Sequence, residues 1–423
     1  MKLLLRSVTI CSSGDPNHGF KKDILLSEGV ISRITDAGKC DDTGAEVIDC
    51  IGLQVSVGWF DLHVQLGEPG YEFREDFRTG TLAAMKGGFT GVLMMPGTLP
   101  PIDSKSGVEF IRNRTKDGLV EVVPAGCMTV GGKGNDLAEL YDMWLSGARA
   151  FTDDQHPFDN AGMLQRALLY SKDFGGRVMV FAEDRNLAGK GQMHEGPTST
   201  RLGLKGMPGL SESVMVSRDL QLLEYTGGSI HFSTVSTATT VELIRQARKK
   251  GMDVTADVSA LHLHFTDEAM DGFDTNLKVK PPLRDATDRE ALIEGLIDGT
   301  IDAISSDHRP HDVEAKKKEF DLADFGAAGL ETCYGAVNTA LKGRVKTERI
   351  IDALSIKPRR ILGLKVPVIS EGQPANLTVF SAEKKWTVSQ NDLRSKGCNN
   401  PFIGRELTGM PVMVIRNGIV SEC

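Results

Sequence analysis

The chain reads as a (β/α)8 TIM barrel carrying a small β-domain made from both chain ends. Three observations predict this. Eight strand-like runs alternate with helix-like segments across residues 57–365, the pattern of a closed parallel barrel. Short runs of high β propensity flank that region on both sides, so strands from the two termini can pair with each other. No G-x-G-x-x-G or G-x-x-x-x-G-K-[ST] pattern favours the competing open, doubly wound sheet. The expected division is residues 1–56 plus 366–423 for a β-sandwich-like domain and 57–365 for the barrel.

The elements follow in order. KLLLRSVTI, DILLSEGVISRI and AEVIDCIGLQVSV precede residue 57, and ANLTVF and MPVMVIRNGIV follow residue 374. Each is a short β-prone run broken by Gly, Asp or Asn. The barrel strands are expected at 57–63, 90–95, 120–126, 148–152, 177–181, 229–235, 252–259 and 301–306. Between them, Thr239 to Glu242 and Thr287 to Glu290 fit the capping box, in which a hydroxyl and a carboxylate satisfy free backbone donors at a helix start. The first opens VELIRQARKKG, which ends in basic residues and a glycine, as a helix C-terminus should. Asp76 to Gly88 likewise closes on two glycines.

Composition narrows the function classes. The 423 residues are 40% hydrophobic and 25% charged, with a net charge of −8, which argues against nucleic acid or an anionic membrane as partner. MKLLLRSVTI has three leucines before Arg6, too few for a signal-peptide core. No apolar run approaches the ~20 residues of a membrane span. Seven scattered cysteines without a C-x-x-C pair read as reduced thiols of a cytoplasmic protein.

In such barrels the chemistry sits at the carboxyl ends of the strands. The first strand ends in GWFDLHVQLGEPG. Side chains two apart on a strand share a face, so His63 and Gln65 address one site together. Two imidazoles there would make a strong zinc pair, whereas a neutral amide is a weak ligand. The other strand ends carry Gly97, Asp153–Asp154, Phe181-Ala182-Glu183-Asp184, His231 with Thr234, His262 with His264, and Asp307-His308 with His311. His and Asp spread over several strand ends suit metal-assisted hydrolysis, in which metal lowers the pKa of a water and a carboxylate takes its proton. Singly, Asp153–Asp154 also suits a helix N-cap, and His231 a core histidine bonded to backbone.

Several long segments, in order, resemble the dihydroorotase family, cyclic amidohydrolases of the amidohydrolase superfamily. They are FDLHVQLGEPGYEFREDFRTGTLAAMKGGFTGVLMMPGTLPPID, STRLGLKGMPGLSESVMVSRDLQLLEYTGGSIHF, NLKVKPPLRDATDREALIEGLIDGTIDAISSDHRPH, EFDLADFGAAGLET and KPRRILGL. The resemblance implies an amidohydrolase-type barrel with a β-domain from both ends. It also implies the reversible interconversion of carbamoyl-aspartate and dihydroorotate, a step of pyrimidine biosynthesis, on a zinc centre. Carried over position by position, it assigns metal ligation to His63, Asp153 and Asp307, the last also as catalytic proton acceptor. Gln65, Phe181 and Thr234 stand where the family has histidines. Of the substrate groups, His311 is kept; Gly67 replaces an arginine, Gly97 an asparagine and Lys280 another asparagine.

The expectation is therefore a family member with a degenerate zinc site, holding no metal or one weakly bound ion. Its hydrolytic activity is expected to be lost and its role to be that of a non-catalytic or scaffold subunit. The resemblance points to aspartate transcarbamoylase as partner and to a homo-oligomer, a dimer, as the chain's own assembly. The alternative is an active cyclic-amide hydrolase with a mononuclear site, using Asp307 as base and Lys280 or His311 as substrate contacts. A further alternative recruits His262 or His264 as a substitute ligand.

Overall fold

The computed structural model describes residues 2–41 and 43–423. Both chain ends build one sheet of eight strands. Lys2–Ile10 pairs antiparallel with Lys21–Ser27 and parallel with Glu46–Asp49 and Gln54–Val57. Gln54–Val57 pairs on its other side with Asn376–Thr387 from the C-terminal end, and Glu406–Arg416 and Ile419–Glu422 continue outward. The strand that joins the two ends thus runs straight into the barrel, whose first strand, Trp59–Val64, starts two residues later.

Eight strands form the barrel. Trp59–Val64, Phe89–Met94 and Glu121–Pro124 pair in parallel, as do Ala150–Phe151, Arg177–Val180, Ile230–Phe232, Val254–Ser259 and Ala303–Ser305. Single bridges, Gly126 to Phe151 and Val64 to His308, join the two runs and close the cylinder. All six residues of the first strand are buried, as expected where helices cover the outside and side chains fill the inside. The expected (β/α)8 architecture is thus the one observed.

Local signals were displaced rather than absent. Helix Phe77–Lys86 starts at Asp76, whose side chain accepts from the Thr79 amide, and ends at Gly87. Helix Ala238–Lys249 is capped by Thr237, not Thr239, and helix Ala286–Asp298 by Asp285, not Thr287. Both starts fall two residues before the capping boxes read from sequence, because an upstream hydroxyl or carboxylate already reaches the third helical amide. All seven cysteines are free thiols. Among the described residues, no helix is long and apolar enough to cross a membrane.

Trp59 joins barrel to sheet. Fully buried, it packs on Phe89 at 6.1 Å, Tyr334 at 4.8 Å and Phe380 at 5.5 Å, ring centre to ring centre, and its indole N–H donates to Ser56 Oγ at 3.0 Å. Phe380 belongs to the sheet, Phe89 to the second barrel strand and Tyr334 to helix Cys333–Leu341.

Candidate active site

The barrel's carboxyl end opens into a cavity of about 520 Å³, whose lining includes Gln65, Arg74, Gly97, Asp154, Lys280 and Arg309. Its floor is a polar cluster drawn from strand ends one, four and eight. The side chains of His63, Asp154, Asp307 and Arg309 there are all at most 7% exposed.

Asp153 and Asp154 part company. The Asp153 carboxylate accepts from the amides of Met128 and Thr129, at 2.8 and 3.0 Å, and from the Thr129 hydroxyl. Both its oxygens are thereby committed to the loop after strand three. Asp154 adopts a left-handed φ of 56°, which turns its side chain into the cluster. There it meets His63 Nε2 at 3.1 Å and accepts from Gln65 Nε2 at 2.8 Å. The assignment of Asp153 to the site is corrected accordingly: the carboxylate facing His63 is that of Asp154.

Arg309, which the sequence reading passed over, supplies the centre of the cluster. Its guanidinium grips Asp154 in a two-pronged pair, donates from Nε to Asp307 Oδ1 at 3.3 Å, and places Nη2 2.7 Å from His63 Nε2. The same His63 Nε2 thus faces the guanidinium and two carboxylates, Asp154 Oδ1 at 3.1 Å and Asp307 Oδ1 at 3.8 Å. Burial alone would raise the Asp154 carboxyl, but Arg309 and His63 hold it well below the usual carboxylate range. Burial raises Asp307, against the pull of His63 and Arg309. SSDHRPH carried no signal for Arg309, because the strand ends at Ser305 and Asp307 takes a left-handed φ of 47°, so alternation does not relate the two residues. His308 between them turns away, its Nδ1 accepting from the Gly329 amide at 3.2 Å and its Nε2 lying 3.5 Å from Glu75.

The remaining sequence candidates occupy the walls. Phe181 is buried, with Lys280 Nζ 5.9 Å from its ring centre and ion-paired to Glu183 at 2.7 Å. Lys280 therefore arrives with its own counter-ion. The Thr234 hydroxyl is buried without a hydrogen-bond partner among the described residues. Gly67 has φ 68°, and a Cβ there would lie 2.7 Å from the Tyr71 carbonyl oxygen, so this loop path admits no side chain at that position. Gly97 leaves room for the cluster: a Cβ would stand 3.2 Å from Asp154 Oδ2.

Three histidines are structural. His231 bonds Asp257 at 2.8 Å and Thr255 at 2.9 Å, side chains rather than the backbone groups expected. His262 and His264 lie on a short helix, Ala260–His264, instead of a strand. His262 bonds Ser259 Oγ and the Pro281 carbonyl, and His264 the Ala336 carbonyl, so neither reaches the cluster as a substitute ligand.

His311 stands aside from the cavity floor, its Nε2 donating to the Phe325 carbonyl at 2.9 Å. Burial pushes its pKa down to about 4. The unfolded chain thus takes up this proton first, and stability is lost as pH falls from about 6.5 towards 4, by up to about 3 kcal/mol for this one group. His262, also lowered to about 4 by burial, acts in the same window. His311→Gln is expected to flatten, not abolish, the fall in stability over that range. An unchanged slope in urea titrations at stepped pH would remove His311 from this account.

Sequence comparison identifies the family. Residues 53–240 match the family model described as dihydro-orotase-like. A dihydroorotase of Pelotomaculum thermopropionicum is 45% identical over 99% of this chain and 98% of its own length. The chain belongs to the dihydroorotase family. Another dihydroorotase, from Caldanaerobacter subterraneus subsp. tengcongensis, is 42% identical over 94% of this chain and 92% of its own. In fold, this dihydroorotase-family chain superimposes on the L-hydantoinase (dihydropyrimidinase) of Arthrobacter aurescens with a TM-score of 0.87 at 25% identity, covering 99% of this chain and 95% of that one. A D-hydantoinase gives 0.84 at 24% identity over the same shares. The dihydroorotase family is of the metal-dependent amidohydrolase type.

Proposed function

We propose that this dihydroorotase-family protein of pyrimidine biosynthesis has lost the hydrolytic reaction and serves as a non-catalytic, scaffold subunit. Its proposed partner is aspartate transcarbamoylase, its own assembly a homodimer and its location the cytoplasm. One observation carries the loss of activity: Arg309 Nη2 stands 2.7 Å from His63 Nε2, so a cation already occupies the approach a metal would need to that nitrogen. The residues present do not fit a zinc centre. The same guanidinium engages Asp154 and Asp307, Phe181 has no donor atom, and Thr234 has only a neutral hydroxyl. Hydrolysis on metal needs a coordinated water and a free carboxylate to take its proton. Asp307, the intended acceptor, is fully buried and shared with Arg309. The partner rests on the family resemblance.

The test is metal content per chain by plasma mass spectrometry, on protein expressed with added zinc and then gel-filtered. Near-zero metal and co-elution with aspartate transcarbamoylase are expected. One or two tightly held ions per chain, with dihydroorotate turnover that disappears in Asp307→Asn, would sink the proposal and establish a reduced-site hydrolase instead.

A further inference from the structure

We infer that Arg309 is a built-in cation that does the structural part of a metal's work, fastening strand ends one, four and eight at the mouth of the barrel. The inference goes beyond loss of activity, and its premise is the metal-free reading above. A side chain merely filling space would need one partner. Arg309 has three: His63 near the end of strand one, Asp154 after strand four, and Asp307 on its own segment after strand eight. All are buried, where an unpaired charge is costly and a paired one is held in a fixed geometry.

The surroundings are arranged for this placement. The Arg309 amide donates to the Ala327 carbonyl at 2.8 Å, and its carbonyl accepts from Asn399 Nδ2 at 3.0 Å, so the backbone that launches the side chain is held on both sides. Gln65 donates to the same Asp154 oxygen that Arg309 Nη1 reaches at 3.1 Å. The amide at position 65, poor as a metal ligand, is thus a good partner for a carboxylate already paired with arginine. Gly97 keeps the space over Asp154 open. Two positions that depart from the family's residue types, Gln65 and Gly97, are consistent with one internal cation.

The inference predicts a coupling. With Arg309→Met, Asp154 is left buried without its counter-cation, and the melting temperature should fall by about 3–6 °C. In Arg309→Met with Asp154→Asn, the charge that needed a cation is gone, and at least half of that loss should return. Arg309→Lys keeps the charge without the fork and should lie between wild type and Arg309→Met. It keeps the test readable should Arg309→Met fail to fold. Thermal unfolding of the full chain, with and without a strong chelator, reads all of these. A wild-type melting temperature unmoved by chelator supports the premise, since only a bound ligand adds stability by mass action. A fall on chelation overturns the metal-free reading. With wild type indifferent to chelator, an unchanged melting temperature in Arg309→Met, or simple additivity of the two substitutions, overturns the inference alone.

Discussion

Asp153→Ala is expected to cost about 3–5 kcal/mol of stability, although the residue never reaches the cavity, because it leaves two buried amides and a hydroxyl without an acceptor. The carboxylate is 3% exposed and holds Met128 and Thr129 together in the loop after strand three. Thr129 Oγ1 in turn accepts from the Gly134 amide at 2.8 Å, so the loss propagates along the loop. Asp153→Asn keeps one acceptor oxygen and should cost about half as much. Urea unfolding of the two variants checks this. A change below about 0.5 kcal/mol for Asp153→Ala, the range of ordinary surface substitutions, would mean that Asp153 does not fasten this loop.

Trp59→Ala is expected to destabilise the chain by a similar or larger amount, about 3–5 kcal/mol, from lost burial and the cavity left behind. The tryptophan touches one aromatic ring from the sheet, one from the barrel wall and one from a covering helix, and it fills the seam between them. Its N–H has a buried partner in Ser56, which the alanine variant strands as well. Trp59→Phe keeps most of the ring contact and should lose roughly half as much. Because Ser56 and Phe380 lie on paired strands that join the two chain ends, unfolding of Trp59→Ala is expected to stay a single transition. Separate transitions for barrel and sheet, read by circular dichroism against denaturant, would show that the seam contributes little.

The barrel was legible in the sequence because each of its strands is a short apolar run whose neighbours cannot be mistaken for strand. All eight expected runs overlap an observed strand. The sheet from both ends was legible for a like reason: GLQVSV and ANLTVF are β-prone and need partners, and they pair through Gln54–Val57 and Asn376–Thr387. Helix starts were less legible, since Thr237 and Asp285 compete with the hydroxyls two residues on, and sequence alone does not rank them.

The sequence by itself determined the family, the barrel, and the absence of imidazoles at Gln65, Phe181 and Thr234, because each is a matter of residue type at a readable position. Only the tertiary structure decided which of two adjacent aspartates enters the site. Strand alternation stops where the strand stops, and a left-handed residue at 154, like that at 307, redirects the next side chain. Nor does sequence say where a long side chain ends. Arg309 is one charged residue among many until the closed barrel brings His63, Asp154 and Asp307 within reach of the same guanidinium. Those three come from strand ends that are distant along the chain and converge on one mouth only after the cylinder closes, so their shared cation is a property of the fold.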